Sequence, residues 1–462
     1  MPIWAWILIV AGSVLLVVAV HDLTQRRHTI LRNFPVIGHL RYGLESIGPE
    51  LRQYIVTDND SERPFSRDER RWVYEAAGGL EGVFGFGTDN DLDGAPNYLF
   101  VRHAAFPVEA PPGGDPSGSP LAMAKVLGGP RGRRHAFRPA SVVNLSSMSY
   151  GSLGPRAIEA LNAGAALAGC WQGTGEGGIS EHHRAGGDLV WQVGTGYFGC
   201  RTPDGRFDLD RFCEVVAANP VRAVEIKLSQ GAKPGLGGVL PGAKVTREVA
   251  RLRGIPVGVT CHSPAGHTAF GDVDSMLDFV ERLAEASGLP VGIKSAVGEP
   301  AFWTDLAHLM ATTGRGVDFI TVDGGEGGTG AAPFPFADHV ALPFLDGFAR
   351  VRRTLVEAGV ADDLVLLGSG RLGLPVRALA AFALGADGVN VGREAMLSIG
   401  CIQAQQCHTG HCPTGVTSQD PSRSRAVVVS DKSERVASFH KETLAALAEL
   451  VAAAGLEHPR EL

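Results

Sequence analysis

Two rhythms alternate along the chain from Ser141 onward: short β-branched apolar runs, and stretches whose apolar residues recur at helical spacing and end in glycine. The runs predict eight strands: VVNLS (142–146), a second near Cys170–Gln172 or Leu189–Gln192, AVEIKLS (223–229), VGVTC (257–261), VGIKS (291–295), VDFITVDG (317–324), LVLLGSG (364–370) and ADGVNVG (386–392). Between them RAIEALNAGAALAG, DSMLDFVERLAEASG and LPVRALAAFALG read as helices. This α/β alternation predicts a TIM (β/α)8 barrel, whose ligand site lies at the C-terminal ends of its strands. Strand count alone does not close a barrel, so an open doubly wound sheet is the alternative.

The flanks follow other patterns. From Ile3 to Val20 there are eighteen residues without a charge, enough at ~1.5 Å per residue to reach roughly 27 Å and just span a bilayer. A cleaved signal peptide and a buried soluble helix are the competing readings; no basic region precedes the run and no small-x-small site follows it. Arg26, Arg27, His28 and Arg32 come next, with only Asp22 against them, which places the remainder on the cytoplasmic face. The segment to about residue 140 is turn-rich, with a helix in SERPFSRDERRWVYEAAGG, an exposed loop at 111–120, and Arg133, Arg134 and Arg138 as a solvated basic stretch. It reads as a cap without chemistry. Lys432 to Ala454 is one more amphipathic helix. The expected organisation is an anchor at 1–22, a cap or linker at 23–140, the barrel at 141–425 and a C-terminal helix at 426–462.

Composition narrows the class. With 462 residues, 44% of them apolar, one large core with appended segments is expected. A net charge of −7 without a basic block leaves no electrostatic footprint for nucleic acid. Seven cysteines form an odd set with three clustered, which argues for a reducing compartment and metal or redox use over a disulfide framework.

Cys401, Cys407 and Cys412 follow a C-x5-C-x4-C spacing in GCIQAQQCHTGHCPTGV. Three thiolates suit a three-iron cluster, and zinc held with His408 or His411 satisfies the same run. The other polar motifs fall at predicted strand ends. Ser147, Met148 and Ser149 belong to a run of small residues that lets a flat ring approach the backbone, or forms a plain turn. Gly368, Gly370 and Arg371, with Gly392 and Arg393, stand where barrels hold phosphate on backbone N–H groups. Gly327, Gly328 and Thr329 lie in DGGEGGTGAAP, a glycine density that points to close approach by a planar ligand. Lys294, inside an apolar strand, either snorkels or stabilises negative charge on a reduced flavin. Lys227 has no evident place; Gln230 and Lys233 offer a hydrogen-bonding group and a cation for a carboxylate. Glu176, flanked by glycines, is the candidate proton-handling carboxylate, with an exposed loop acid as the bland alternative.

Taken together, SSMSYGSLG (146–154), NAGAALAG (162–169), TGEGGIS (174–180), EIKLSQGAKPGLGGVLPG (225–242), DGGEGGTGAAP (323–333) and GCIQAQQCHTGHCPTGV (400–416) resemble the FMN-binding synthase domain of the glutamate synthase family, in particular its short, stand-alone, membrane-anchored type. The resemblance runs in order from about Ser141 to Asp420. It implies FMN at the rim of a TIM barrel and a [3Fe-4S] cluster on Cys401, Cys407 and Cys412. It further implies an oxidoreductase in which reduced FMN gives hydride to an imine of 2-oxoglutarate, forming glutamate. The family's catalytic glutamate falls on Glu176, its substrate-contacting residues on Gln230 and Lys233, and its flavin-side lysine on Lys294. Leu236 and Val239 stand where the large enzymes carry an acidic residue and a second glutamine. An apolar residue cannot supply the missing hydrogen bond, so another amine or oxo acid is the first alternative. The amidotransferase domain and β-helix of the large enzymes have no counterpart in these residues. Ammonia is therefore expected from solution or from a separate amidotransferase subunit. No GxGxxG follows a strand, so electrons are expected from a ferredoxin or a partner flavoprotein. An electron-transfer subunit without turnover is the second alternative.

Overall fold

The computed structural model describes residues 2–462 apart from Arg26, Glu81, Phe84, Phe86, Asp93, 95–97 and 111–120, so the exposed loop expected at 111–120 lies outside the described residues. The chain divides into two units, Met1–Asp68 and Glu69–Leu462.

In the first unit a single helix spans Ile3–Thr24, and nearly all of its apolar side chains are exposed. It is long and apolar enough to cross a membrane. Near its end Asp22 is fully buried: its carboxylate accepts from the backbone N–H of Val36 at 2.9 Å and lies 3.0 Å from Nε2 of His39. Those contacts fold the following residues, including a short helix Thr29–Asn33, back on the helix end, where a third helix, Gly38–Leu51, begins.

In the second unit eight strands close into a parallel barrel: β1 Val143–Leu145, β2 Gln172–Gly173, β3 Leu189–Val193, β4 Val221–Lys227, β5 Val291–Ala296, β6 Phe319–Asp323, β7 Val365–Ser369 and β8 Gly388–Val391. Each pairs with its sequence neighbours, and β1 with β8 closes the ring. The TIM barrel is thus formed, with two changes in strand assignment. Both candidate regions for the second strand are barrel strands. VGVTC is not one: Gly258 takes φ +74°, Val257 and Val259 are both exposed, and only Cys261 continues into a small antiparallel pair, Cys261–His262 with Val239–Leu240. A strand buried on both faces cannot carry two solvent-facing valines around a left-handed residue.

Caps and stops follow the sequence. The helix Val273–Ser287 starts at Asp272, which accepts from the N–H of Ser275 at 2.8 Å, and ends at Gly288 with φ +74°. The C-terminal helix Val429–Ala453 lies across Pro155–Ala168 where Gly164 leaves no side chain; a Cβ there would stand 2.5 Å from that of Val436. His440, on the same helix, bridges Ser141 Oγ at 2.9 Å and the Val143 carbonyl at 3.0 Å, and burial lowers its imidazole to about 4. The N-terminal mouth of the barrel is plugged from outside: Met123 and Leu127 pack with Trp171, Val190, Ala223, Phe319, Val365 and Leu367.

The basic stretch is not uniformly solvated. Arg133 donates to Glu281 at 2.6 and 3.0 Å and to Asp318 at 3.0 Å, and Asp318 is buried. Burial pushes the Asp318 carboxyl up, against the pull of the Val291 N–H and the Arg133 guanidinium. A guanidinium matches two carboxylates at once, which a surface reading of the run RGRR misses.

Candidate functional site

The C-terminal rim gathers side chains from all parts of the barrel. Inside it, Glu225 on β4 is almost completely buried and accepts three hydrogen bonds: Gln192 Nε2 at 2.6 Å, Thr321 Oγ1 at 2.7 Å and Ser147 Oγ at 3.1 Å. One carboxylate thus ties β3, β4, β6 and the turn after β1 across the lumen. Asn390 on β8 lines the same space, and its Oδ1 is buried without a hydrogen-bond partner. Neither residue stands out in the sequence, because each alternates with apolar neighbours in an ordinary strand.

Above this layer Glu176, Lys227, Gln230 and Lys233 converge. Lys227 Nζ lies 3.2 Å from Glu176 Oε2 and donates to Gln230 Oε1 at 2.6 Å. Lys227, unplaced from sequence alone, therefore links the two. Gly194 and Gly238 make room for Glu176; a Cβ on Gly238 would fall within 1.7 Å of its Oε1. Burial raises the Glu176 carboxyl, but the cations Lys227, Arg253 and Lys233 outweigh it and hold the group below the usual carboxylate range. It is no solvated loop acid. Lys233 is itself buried and donates to the Ala331 carbonyl at 2.7 Å; burial first, then repulsion from Lys227, lowers its ammonium to about 8.

Two groups missed from sequence set this constellation in place. His267 lies 3.0 Å from the Lys227 carbonyl and 3.0 Å from the hydroxyl of Tyr197, which accepts the backbone N–H groups of Thr268 and Ala269. Arg253 is buried, donates to the Tyr150 carbonyl at 3.2 Å and acts electrostatically on Glu176. Both lie far along the chain from the glutamate, with no local pattern to mark them.

The remaining rim residues occupy two flanks. Lys294, in register with Lys227 on the neighbouring strand, points to the rim and stands 3.6 Å from Asp323 Oδ2, which accepts the Gly231 N–H at 2.9 Å. Ser147, Met148 and Ser149 turn over β2, and Gly173 and Gly175 are packed directly against them. Those two glycines close loop on loop, so the room they make is taken by protein. Gly328 is filled the same way by the Arg393 side chain, whose guanidinium donates to the Glu326 carbonyl, while Gly327 lies over Asp323 and Thr329 beside Ala331. Gly368 makes room for the Phe344 ring; Gly370 takes φ +128°, and Gly392 leaves its space open toward Ser146.

The segment before the barrel packs on this rim. Glu69 receives the Arg371 guanidinium at 2.9 and 3.0 Å and that of Arg377 at 3.2 Å. Tyr74 donates its hydroxyl to the Cys401 carbonyl at 2.8 Å. Cys401, Cys407 and Cys412 carry free thiols on one loop. Burial pushes Cys401 up to about 12, while hydrogen bonds from Thr414 and Thr417 overcome burial and lower Cys412. Among the described residues, one set of His, Cys, Asp or Glu ligand atoms lies mutually within 4.8 Å, namely Glu181, His182 and Glu248; the three cysteines form no such set.

Residues 132–457 match the conserved region in glutamate synthase. The chain is 39% identical over 473 residues to the glutamate synthase large subunit-like protein YerD of Bacillus subtilis (strain 168), covering 95% of this chain and 89% of that protein. It is 37% identical over 283 residues to the archaeal-type glutamate synthase [NADPH] of Thermotoga sp. (strain RQ2), covering 60% of this chain and 52% of the relative, so it spans about half the length of that enzyme. With the archaeal glutamate synthase [NADPH] of Methanocaldococcus jannaschii it shares 34% identity over 319 residues, 68% of this chain and 59% of the relative. By the extent of the matched region and of the first of these alignments, the chain belongs to the glutamate synthase family.

Proposed function

We propose that the chain is an FMN- and iron–sulfur-dependent oxidoreductase that reduces the imine formed from 2-oxoglutarate and ammonia to glutamate. The observation that carries this reading is the convergence of Glu176, Lys227, Gln230 and Lys233 beside Lys294 at one rim of a closed barrel. The donor set suits a polar cofactor: Asn390 Oδ1 is a buried acceptor without a partner, and Lys294 offers an ammonium beside Asp323 at the rim. Ser147, Met148, Ser149, Gln230, Gly327, Gly328 and Thr329 would flank the ring; Gly368, Gly370, Gly392 and Arg393 would hold its phosphate. Bound there in its reduced form, FMN would supply the hydride.

The protein groups divide the remaining work. Lys233 and Gln230 receive the oxo acid's carboxylate, the first by charge and the second by hydrogen bonding. Glu176 enters as a carboxylate, because three cations keep it ionised; it stabilises the positive iminium and takes a proton from ammonium at Oε2. Lys227 Nζ, 3.2 Å away, holds the proton that the product nitrogen needs. Ammonia would add to the 2-oxo carbonyl, whose oxygen leaves as water to give the iminium; hydride supplied by the bound cofactor would make the C=N bond single, and Lys227 Nζ would give the nitrogen its proton.

Cys401, Cys407 and Cys412 would each hold one iron of a [3Fe-4S] cluster. Electrons would enter there from a ferredoxin or a flavoprotein. The exposed apolar helix Ile3–Thr24 supports single-pass anchoring, and the basic residues that follow it support a cytoplasmic barrel. The test is visible spectroscopy with iron, sulfide and flavin assays of anaerobically purified protein. Bands and stoichiometric iron support the reading; a colourless, iron-free protein ends it.

A second reading concerns the amine. Leu236 and Val239 stand where the large enzymes carry an acidic residue and a second glutamine, on either side of Gly238, whose missing side chain leaves room for Glu176. An N-alkyl amine would be favoured there, and turnover with methylamine above that with ammonia would select it.

A further inference from the structure

Lys244 stands between the two proposed redox sites. It closes the short turn Gly242–Lys244, and its side chain is 2% exposed. Its Nζ donates to the Ser152 carbonyl at 2.5 Å and to the Cys407 carbonyl at 2.9 Å. Ser152 in turn donates its N–H to the Ser149 carbonyl, at the rim turn after β1. The lysine stem passes against Gly410, under the cysteine loop. A continuous chain of hydrogen bonds therefore runs from the rim through one buried ammonium into the cysteine loop.

We propose that Lys244 is the counter-charge of the iron–sulfur cluster, raising its reduction potential and holding the Cys407 loop in register with the flavin rim. The inference rests on the reading of the three cysteines as cluster ligands. Each thiolate ligand brings a negative charge and reduction adds another, so a buried cation favours the reduced cluster. The ammonium is held on the Cys407 carbonyl, and a second buried cation, Arg70, lies four residues before Tyr74, which donates to the Cys401 carbonyl. A lysine needed for packing alone would not require its ammonium to be desolvated against the cysteine loop. Lys244 touches no reacting atom; it is a positioning residue.

The experiment is an EPR-monitored redox titration of the full-length holoprotein as wild type, Lys244→Gln, Lys244→Met and Lys244→Arg, with iron, sulfide and flavin contents measured in parallel. Lys244→Gln keeps a donor for the carbonyls but loses the charge. It is expected to shift the cluster potential to more negative values, leave the flavin potential in place and slow flavin reduction by an external donor. Lys244→Arg is expected to restore most of the wild-type potential. Should Lys244→Met fail to fold or load, the Gln variant alone decides. A fully loaded Lys244→Gln protein with the wild-type potential overturns the proposal while leaving the cluster reading intact. Wild-type protein without iron and sulfide overturns both.

Discussion

Glu176 and Lys233 share one electrostatic field, and their opposite ionisation behaviour sets the pH range in which the site can work. Lys233, lowered to about 8 by burial, is charged below that pH and loses its proton above it. Capture of an anionic oxo acid should therefore weaken as pH rises through about 8: kcat/KM is expected to fall about tenfold per pH unit beyond it, and Lys233→Arg to abolish that fall. Glu176→Gln should keep flavin and its reduction but lower product formation by at least about 100-fold, read as flavin reoxidation by the oxo acid and ammonia. Normal turnover of that variant would remove Glu176 from the chemistry. Of these groups the motif TGEGG and the run QGAK were visible along the chain; the distances that bind them through Lys227 were not. Arg253 and His267 act on the site from positions with no signature of their own, because only the folded barrel brings them to Glu176 and Lys227.

Elements transmit these positions, and two contacts show how little slack they have. Gly164→Ala would gain about 0.5–1 kcal/mol if the helix were free, yet its Cβ would press on Val436 at 2.5 Å. Overpacking should win, with a net loss of ~1–3 kcal/mol in thermal or denaturant unfolding that Val436→Ala partly recovers. Arg133→Met would strand the buried Asp318; a loss of ~3–5 kcal/mol is expected, with recovery when Asp318→Asn is added. A variant as stable as the parent would show that the pair is incidental. Helix positions and the barrel itself were legible from periodicity because apolar spacing and terminal glycines repeat along the chain. The misplaced VGVTC strand was not: its composition is β-like, and only the left-handed Gly258 and two exposed valines reveal a loop. The glycine density of DGGEGGTGAAP reads as ligand space, yet the space at Gly328 is taken by the Arg393 side chain; a glycine count cannot tell room left for a ligand from room filled by protein.

At the scale of the barrel unit, residues just after Asp68 tie the barrel rim and the cysteine loop together. Glu69 and Tyr74 reach the proposed phosphate cradle and cysteine loop, contacts that a turn-rich sequence gave no hint of, since they join residues 302 and 327 positions apart. Cys407→Ser should abolish the iron signal and donor-driven turnover while flavin stays bound; full donor-driven activity would separate the loop from the electron path. The full-length protein should stay with membranes through alkaline carbonate washing and be released when Val10 and Val14 are replaced by arginine. The most direct measurement is anaerobic: protein reduced at its flavin is mixed with 2-oxoglutarate and ammonium, and flavin absorbance and glutamate are followed together. An imine-reducing synthase reoxidises its flavin without oxygen and yields one glutamate per flavin reoxidised. Flavin that stays reduced with 2-oxoglutarate and every other oxo acid and amine supplied would contradict it.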